Sequence, residues 1–170
     1  MSKLTAAQVL EGNAVVYNVI HNYKGRRELF LPGCFKDSWE TEVMWCIDHA
    51  RAERKCGDQN DGSLELVNSD IALSFRLKLL GDALQRIDGR DEVSPSYLET
   101  DVEVRSDGLR VIKSAILVEC SSVYVGAMRN TFAIVRNADE VGPLNRDAKN
   151  FCYEGTAFKF MNLLRRLDSQ

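Results

Sequence analysis

The chain has few residues with which to do chemistry: two histidines (His21 and His49) and three prolines among 170 residues. It has five cysteines, Cys34, Cys46, Cys56, Cys120 and Cys152, an odd number at irregular spacing with no Cys-x-x-Cys pair. That excludes a disulfide framework and suits reduced thiols in a reducing compartment. Cys46, His49 and Cys56 could be drawn together as zinc ligands, but a fourth ligand and a recognised spacing are missing. No metal and no cofactor is expected. No apolar run approaches a membrane span, and Met1 to Gln8 lacks the apolar core of a signal peptide. The chain is expected to stay in the cytoplasm that makes it, with no membrane partner. A formal net charge of -3 and the lack of any basic block give no footprint for nucleic acid.

What the sequence does have is strand periodicity. Hydrophobic residues at 45% and charged residues at 28% suit one globular domain with a real core. Asn13 to Ile20, Glu28 to Leu31 and Val43 to Ile47 read as strands, the last delivering His49 just past its end. Ile71, Leu73, Phe75, Leu77 and Leu79 alternate with Ala72, Ser74, Arg76 and Lys78, which predicts a half-buried strand. The period then changes, and Leu80, Leu84 and Ile87 predict a short helix between about Leu80 and Asp88 that Gly89 terminates. Leu98 to Arg105 and Leu109 to Cys120 read as a hairpin turning at Asp107-Gly108, its second strand central because Ala115 to Val118 is continuously apolar. Thr131 to Val135 reads as a last strand. Residues 1–138 form the expected domain and 139–155 a polar linker. Thr156 opens a C-terminal amphipathic helix, 156–170, with a stripe of Phe160, Leu163, Leu164 and Leu167.

The densest chemistry lies around Glu92-Val93-Ser94-Pro95-Ser96-Tyr97, where a serine in a turn opens a strand. Serine is a weak nucleophile until a base and an orienting group activate it. His49, at the mouth of a buried strand, and Glu119, a carboxylate ending an apolar run, are the candidates for those roles. Burying Glu119 without a partner would be costly, and a histidine would remove the cost. His21, among Asn22, Tyr23, Lys24 and Gly25, reads as a solvated loop residue. Taken alone, a strand-end histidine is more often structural than catalytic, so residue types alone leave the site open.

Four segments in order resemble the phage prohead proteases, the head-maturation serine proteases of tailed phages. Glu28-Leu29-Phe30-Leu31-Pro32-Gly33-Cys34-Phe35 resembles the family's acidic residue, apolar run and Pro-Gly-x-Phe element. Asp48-His49 is similar to its histidine motif, Val93-Ser94-Pro95-Ser96-Tyr97 to its apolar-Ser-x-Gly-aromatic motif, and Glu119 to Ala127 to the element that closes its domain. Ser96 stands where the family usually has glycine, and Gly126 where it usually has proline. The motif's register favours Ser94 over Ser96 as nucleophile. The resemblance implies an antiparallel, closed or nearly closed β-barrel with peripheral helices, of the herpesvirus-assemblin type, and a Ser94-His49-Glu119 site. It implies cleavage of capsid and scaffold protein extensions, and of itself, inside the assembling prohead in the bacterial cytoplasm, by a homodimer. Because Pro95 has no N–H, oxyanion donors must come from elsewhere, and Gly126 to Arg129 is the expected source. A catalytically inactive assembly factor of the same fold and an unrelated β-rich binding module are the competing readings.

Overall fold

The computed structural model describes residues 7–142 apart from 37, 39–41, 51–52 and 129, together with 144. The expected helix at 156–170 lies outside them. The described chain is mainly β, in the order β1 (Gln8–Val16), β2 (Ile20–Tyr23), β3 (Arg26–Phe30), β4 (Met44–Ile47), β5 (Gly57–Asp58), β6 (Leu64–Asn68), β7 (Ala72–Lys78), α1 (Ala83–Ile87), β8 (Glu92–Val104), β9 (Arg110–Val123) and β10 (Phe132–Asn137).

Two sheets result. One has the order β10-β1-β7-β6, all antiparallel; in the other, β2-β3-β9-β4-β5, strand β8 adds to β9. Among the described residues neither sheet closes on itself into a barrel. β9 is the central strand of the second sheet. β8 runs antiparallel along one of its edges, while β3 and β4 share the other, parallel to it at residues 110–112 and 119–122. The two sheets pack face to face through Trp45 of β4 and Phe75 of β7, whose ring centroids lie 4.1 Å apart. Phe30, Phe35, Leu73, Leu77, Ile112 and Leu117 complete a core in which each fully buried side chain contributes roughly 1.5–3 kcal/mol.

Several expectations change. β7 is more buried than its alternation implied: Ala72 to Phe75 are all covered, and the Ser74 hydroxyl is satisfied by Asn13 Oδ1 at 2.9 Å. α1 is only five residues long, ended by Gly89 at φ +71°. A helix that short cannot bury a three-point stripe, so Ala83 and Ile87 are buried while Leu80 and Leu84 face solvent. β1 begins five residues earlier than Asn13, and His21 lies in β2 rather than in a loop. The start of the segment read as a linker lies against the first sheet: Arg76 donates to the Gly142 carbonyl at 2.7 Å, and Leu144 is buried beside Phe132.

Candidate active site

Parallel pairing of β4 with β9 sets Met44 opposite Glu119 and Ile47 opposite Ser122, so β4 ends three residues beyond the carboxylate and the chain turns back to bring His49 to it. It does so through Asp48 (φ 50°) and His49 (φ 60°), both in the left-handed region that non-glycine residues rarely occupy. Strain of this kind persists only where surrounding contacts over-determine it. Here the Asp48 N–H donates to the Ser122 carbonyl (3.2 Å), the His49 N–H to Ser121 Oγ (3.1 Å) and the Ala50 N–H to the Ile47 carbonyl (3.0 Å).

The imidazole that this turn presents has its Nδ1 2.5 Å from Oε1 of Glu119, whose side chain is fully buried. An ionised carboxylate can only accept, so a neutral His49 donates Nδ1–H and carries its lone pair on Nε2. The same Oε1 accepts from the hydroxyls of Ser96 (3.1 Å) and Ser121 (3.2 Å). Ser96 Oγ also lies 3.4 Å from Nδ1. It therefore stands on the orienting side of the ring, not on the side that could accept a proton. Ser94, two residues earlier and so on the same face of β8, lines the cleft that His49 also lines. Among the described residues its hydroxyl makes no hydrogen bond, to His49 or to any other group.

Residues 1–142 match the family model described as caudovirus prohead serine protease. The chain belongs to that family. No curated protein matches it. In this member of the family the cleft has a volume of about 370 Å³ and runs from His49, Ser94 and Ser96 along Pro95, Ala127 and Met128 to Tyr97, Glu28, Arg26 and His21.

Ser94 is not in a turn: it is the third residue of β8. Thr131 Oγ1 bridges the N–H and carbonyl of Val93, at 3.4 and 3.0 Å, so the backbone of Val93 faces away from β9. By the two-residue repeat Pro95 faces the same way, and its missing N–H costs no ladder bond. The expected oxyanion segment is partly committed elsewhere. Gly126 donates its N–H to Glu92 Oε2 at 2.6 Å, and a Cβ there would lie 2.9 Å from the Val93 carbonyl oxygen. Ala127 and Met128 line the cleft, whereas Arg129 lies outside the described residues.

His21 corrects the sequence reading outright. It is buried, its Nε2 lies 3.0 Å from the Val16 carbonyl, and its ring packs edge-on against Phe30. Alternation would not have found it, since Tyr23, two residues on and on the same strand face, is exposed. Sequence reasoning also gave no cleft role to Tyr97, whose hydroxyl donates to Glu28 Oε2 at 2.7 Å. Burial, reinforced by Glu28, pushes that phenol above the usual tyrosine range, so it remains a donor. No cluster of three or more His, Cys, Asp or Glu among the described residues is arranged to hold a metal, and no described helix is long and apolar enough to cross a membrane.

Proposed function

We propose that the protein is a serine endopeptidase in which Ser94 is the nucleophile, His49 the general base and Glu119 the group that orients His49. Ser94 Oγ attacks the scissile carbonyl as its proton passes to His49 Nε2; the imidazolium returns that proton to the leaving amine, and water then releases the acyl group by the same route. Glu119 holds the ring and stabilises its charged form. The observation that carries this reading is the buried carboxylate 2.5 Å from Nδ1, which leaves Nε2 for the cleft that Ser94 lines. Apo geometry between nucleophile and base is commonly loose, so the missing Ser94 contact does not count against it.

Family membership supports work in phage head assembly, and we read the substrates as capsid and scaffold protein extensions, including this chain's own, cut inside the prohead in the bacterial cytoplasm. We read the two sheets as halves of a nearly closed barrel, since the Ala133 N–H donates to the Asp91 carbonyl across one seam (3.0 Å) and the Asp58 N–H to Ser63 Oγ across the other (3.0 Å). The apolar stripe expected at 156–170 is assigned to docking on this barrel or on a second copy in a homodimer. Deleting residues after Gly155 should lower either solution mass or stability; no change in both would remove that assignment.

A second reading, an inactive assembly factor of the same fold, is favoured by one observation: Ser96 puts a hydroxyl on Glu119 where the related motif has glycine. A serine-reactive fluorophosphonate followed by mass mapping separates the two. Label on Ser94, lost in Ser94→Ala and kept in Ser96→Ala, supports the peptidase. Label on Ser96 shifts the nucleophile by two residues, and no label on either leaves the assembly factor.

A further inference from the structure

We infer that Arg90 is a positioning residue for His49, an inference that rests on the reading of His49 as the general base. The strained Asp48-His49 turn has backbone anchors on the β9 side, but the Asp48 carboxylate points the other way, to the chain that links α1 to β8. There Arg90 meets it with a fork: Nε lies 3.2 Å from both carboxylate oxygens and Nη2 2.9 Å from Oδ2. Such paired N–H···O contacts fix orientation as well as charge, which a single ammonium cannot do.

Arg90 is itself fixed on two further sides. Its Nη1 donates to the Arg86 carbonyl at the end of α1 (3.0 Å), and its guanidinium lies 4.3 Å from the centroid of the Tyr124 ring, just beyond β9. Gly89 makes room for that ring, because a Cβ there would stand 3.2 Å from Tyr124 Cε1. The Arg90 side chain is only 14% exposed, unlike that of Arg54, the other cation on Asp48, which is 51% exposed and holds it by one contact at 3.2 Å. The Arg90 guanidinium beside Asp48 also holds that carboxyl below the usual carboxylate range. The left-handed turn is thus clamped from both faces, by Ser121 and Ser122 of β9 on one and by Arg90 on the other, with the imidazole between them and Glu119.

Arg90→Ala should leave the two sheets folded, because Arg54 still neutralises Asp48, but let the His49 turn relax. Misplacement of a reacting group by about 1 Å costs up to about 100-fold in rate, so fluorophosphonate labelling of Ser94 should slow by about 10- to 100-fold. Millimolar guanidinium should restore part of it, and Arg90→Lys should fall between the two. The proton NMR signal of the His49 Nδ1–H, assigned by its loss in Glu119→Gln, should broaden or move upfield in Arg90→Ala. Wild-type labelling together with an unmoved signal in that variant overturns the inference. If the wild-type protein does not label at all, the peptidase reading fails, while the NMR signal still decides the positioning role. If Arg90→Ala does not fold, Asp48→Asn and Arg90→Lys are read in the same way: loss supports the clamp, and unchanged readouts in both overturn it.

Discussion

Glu28 and Glu119 are two carboxylates almost withdrawn from water, 7% and 0% exposed, and the second sheet neutralises them in different ways. Glu28 faces fixed charge: Arg26 Nη2 at 2.7 Å and Arg110 Nε at 3.6 Å, with the Tyr97 hydroxyl as a neutral donor. Glu119 meets an imidazole and the hydroxyls of Ser96 and Ser121. A guanidinium is always charged, so the partners of Glu28 present fixed charge and serve to tie β3 to β8 and β9. An imidazole can take up and release a proton, so the pairing at Glu119 gains strength when His49 becomes charged. A buried acid paired with arginine is a fastening, whereas one paired with histidine can stabilise charge that appears during a reaction.

Substitutions at the two sites should therefore have different signatures. Glu119→Gln should cost the most, lowering turnover or Ser94 labelling by about 10⁴-fold, as loss of the orienting charge does in other triads, with the circular-dichroism spectrum unchanged. Turnover within a few-fold of wild type would reduce the site to Ser94 and His49. Glu28→Gln should do the reverse: about 1–3 kcal/mol of stability lost in urea unfolding through the broken ion pairs, with labelling kept within about ten-fold. A labelling loss as deep as that of Glu119→Gln would make Glu28 part of the chemistry and erase the contrast. Ser96→Ala is expected to be milder, changing the rate only by a few-fold, because it removes one of several donors to Glu119 and none from Nε2.

The smallest effect on stability should come from Asp48→Asn, measured as the difference in Tm from the parent across pH. Asp48 has a lowered carboxyl pKa in the fold, mainly through its hydrogen bonds from Arg90. A depressed pKa stabilises the folded state above the ordinary carboxylate range, and that contribution disappears as pH falls through the lowered value. The variant should thus be less stable at neutral pH and converge with the parent in acid. Because the Asp48 side chain is 36% exposed, solvent screening keeps the difference small.

Strands with a strong local signal were legible in the sequence. The period-two run at β7, the Asp107-Gly108 turn (Gly108 φ +78°) and the unbroken Ala115 to Val118 stretch all correspond to observed elements. β1 before Asn13 was missed because Val9 to Gly12 are buried on both faces and show no alternation. β5 and β6 were missed because two residues, and five with little apolar contrast, carry no period to read. At the site, residue type alone drew attention to Ser94, His49 and Glu119. That Ser96 belongs to the orienting side of the ring was not legible, since Ser94 and Ser96 share a strand face, and only the fold shows that Ser96 lies beside Nδ1 while Ser94 lines the cleft without touching the ring.

The sequence by itself determined a β-rich chain with a formal net charge of -3, five cysteines and only two histidines, because composition and short-range periodicity are local properties. Tertiary structure decided which of the two histidines became buried packing and which met a carboxylate. His21 acquired the Val16 carbonyl across the turn from β1 to β2 and Phe30 through the β2–β3 hairpin, and His49 acquired Glu119, 70 positions away, through parallel pairing of β4 with β9. Glu119 is encoded far from the histidine it serves, whereas Val16 lies only five residues from His21. A titratable side chain takes its role from the charges and dipoles within a few ångströms, and strand pairing across the sheet brings those together.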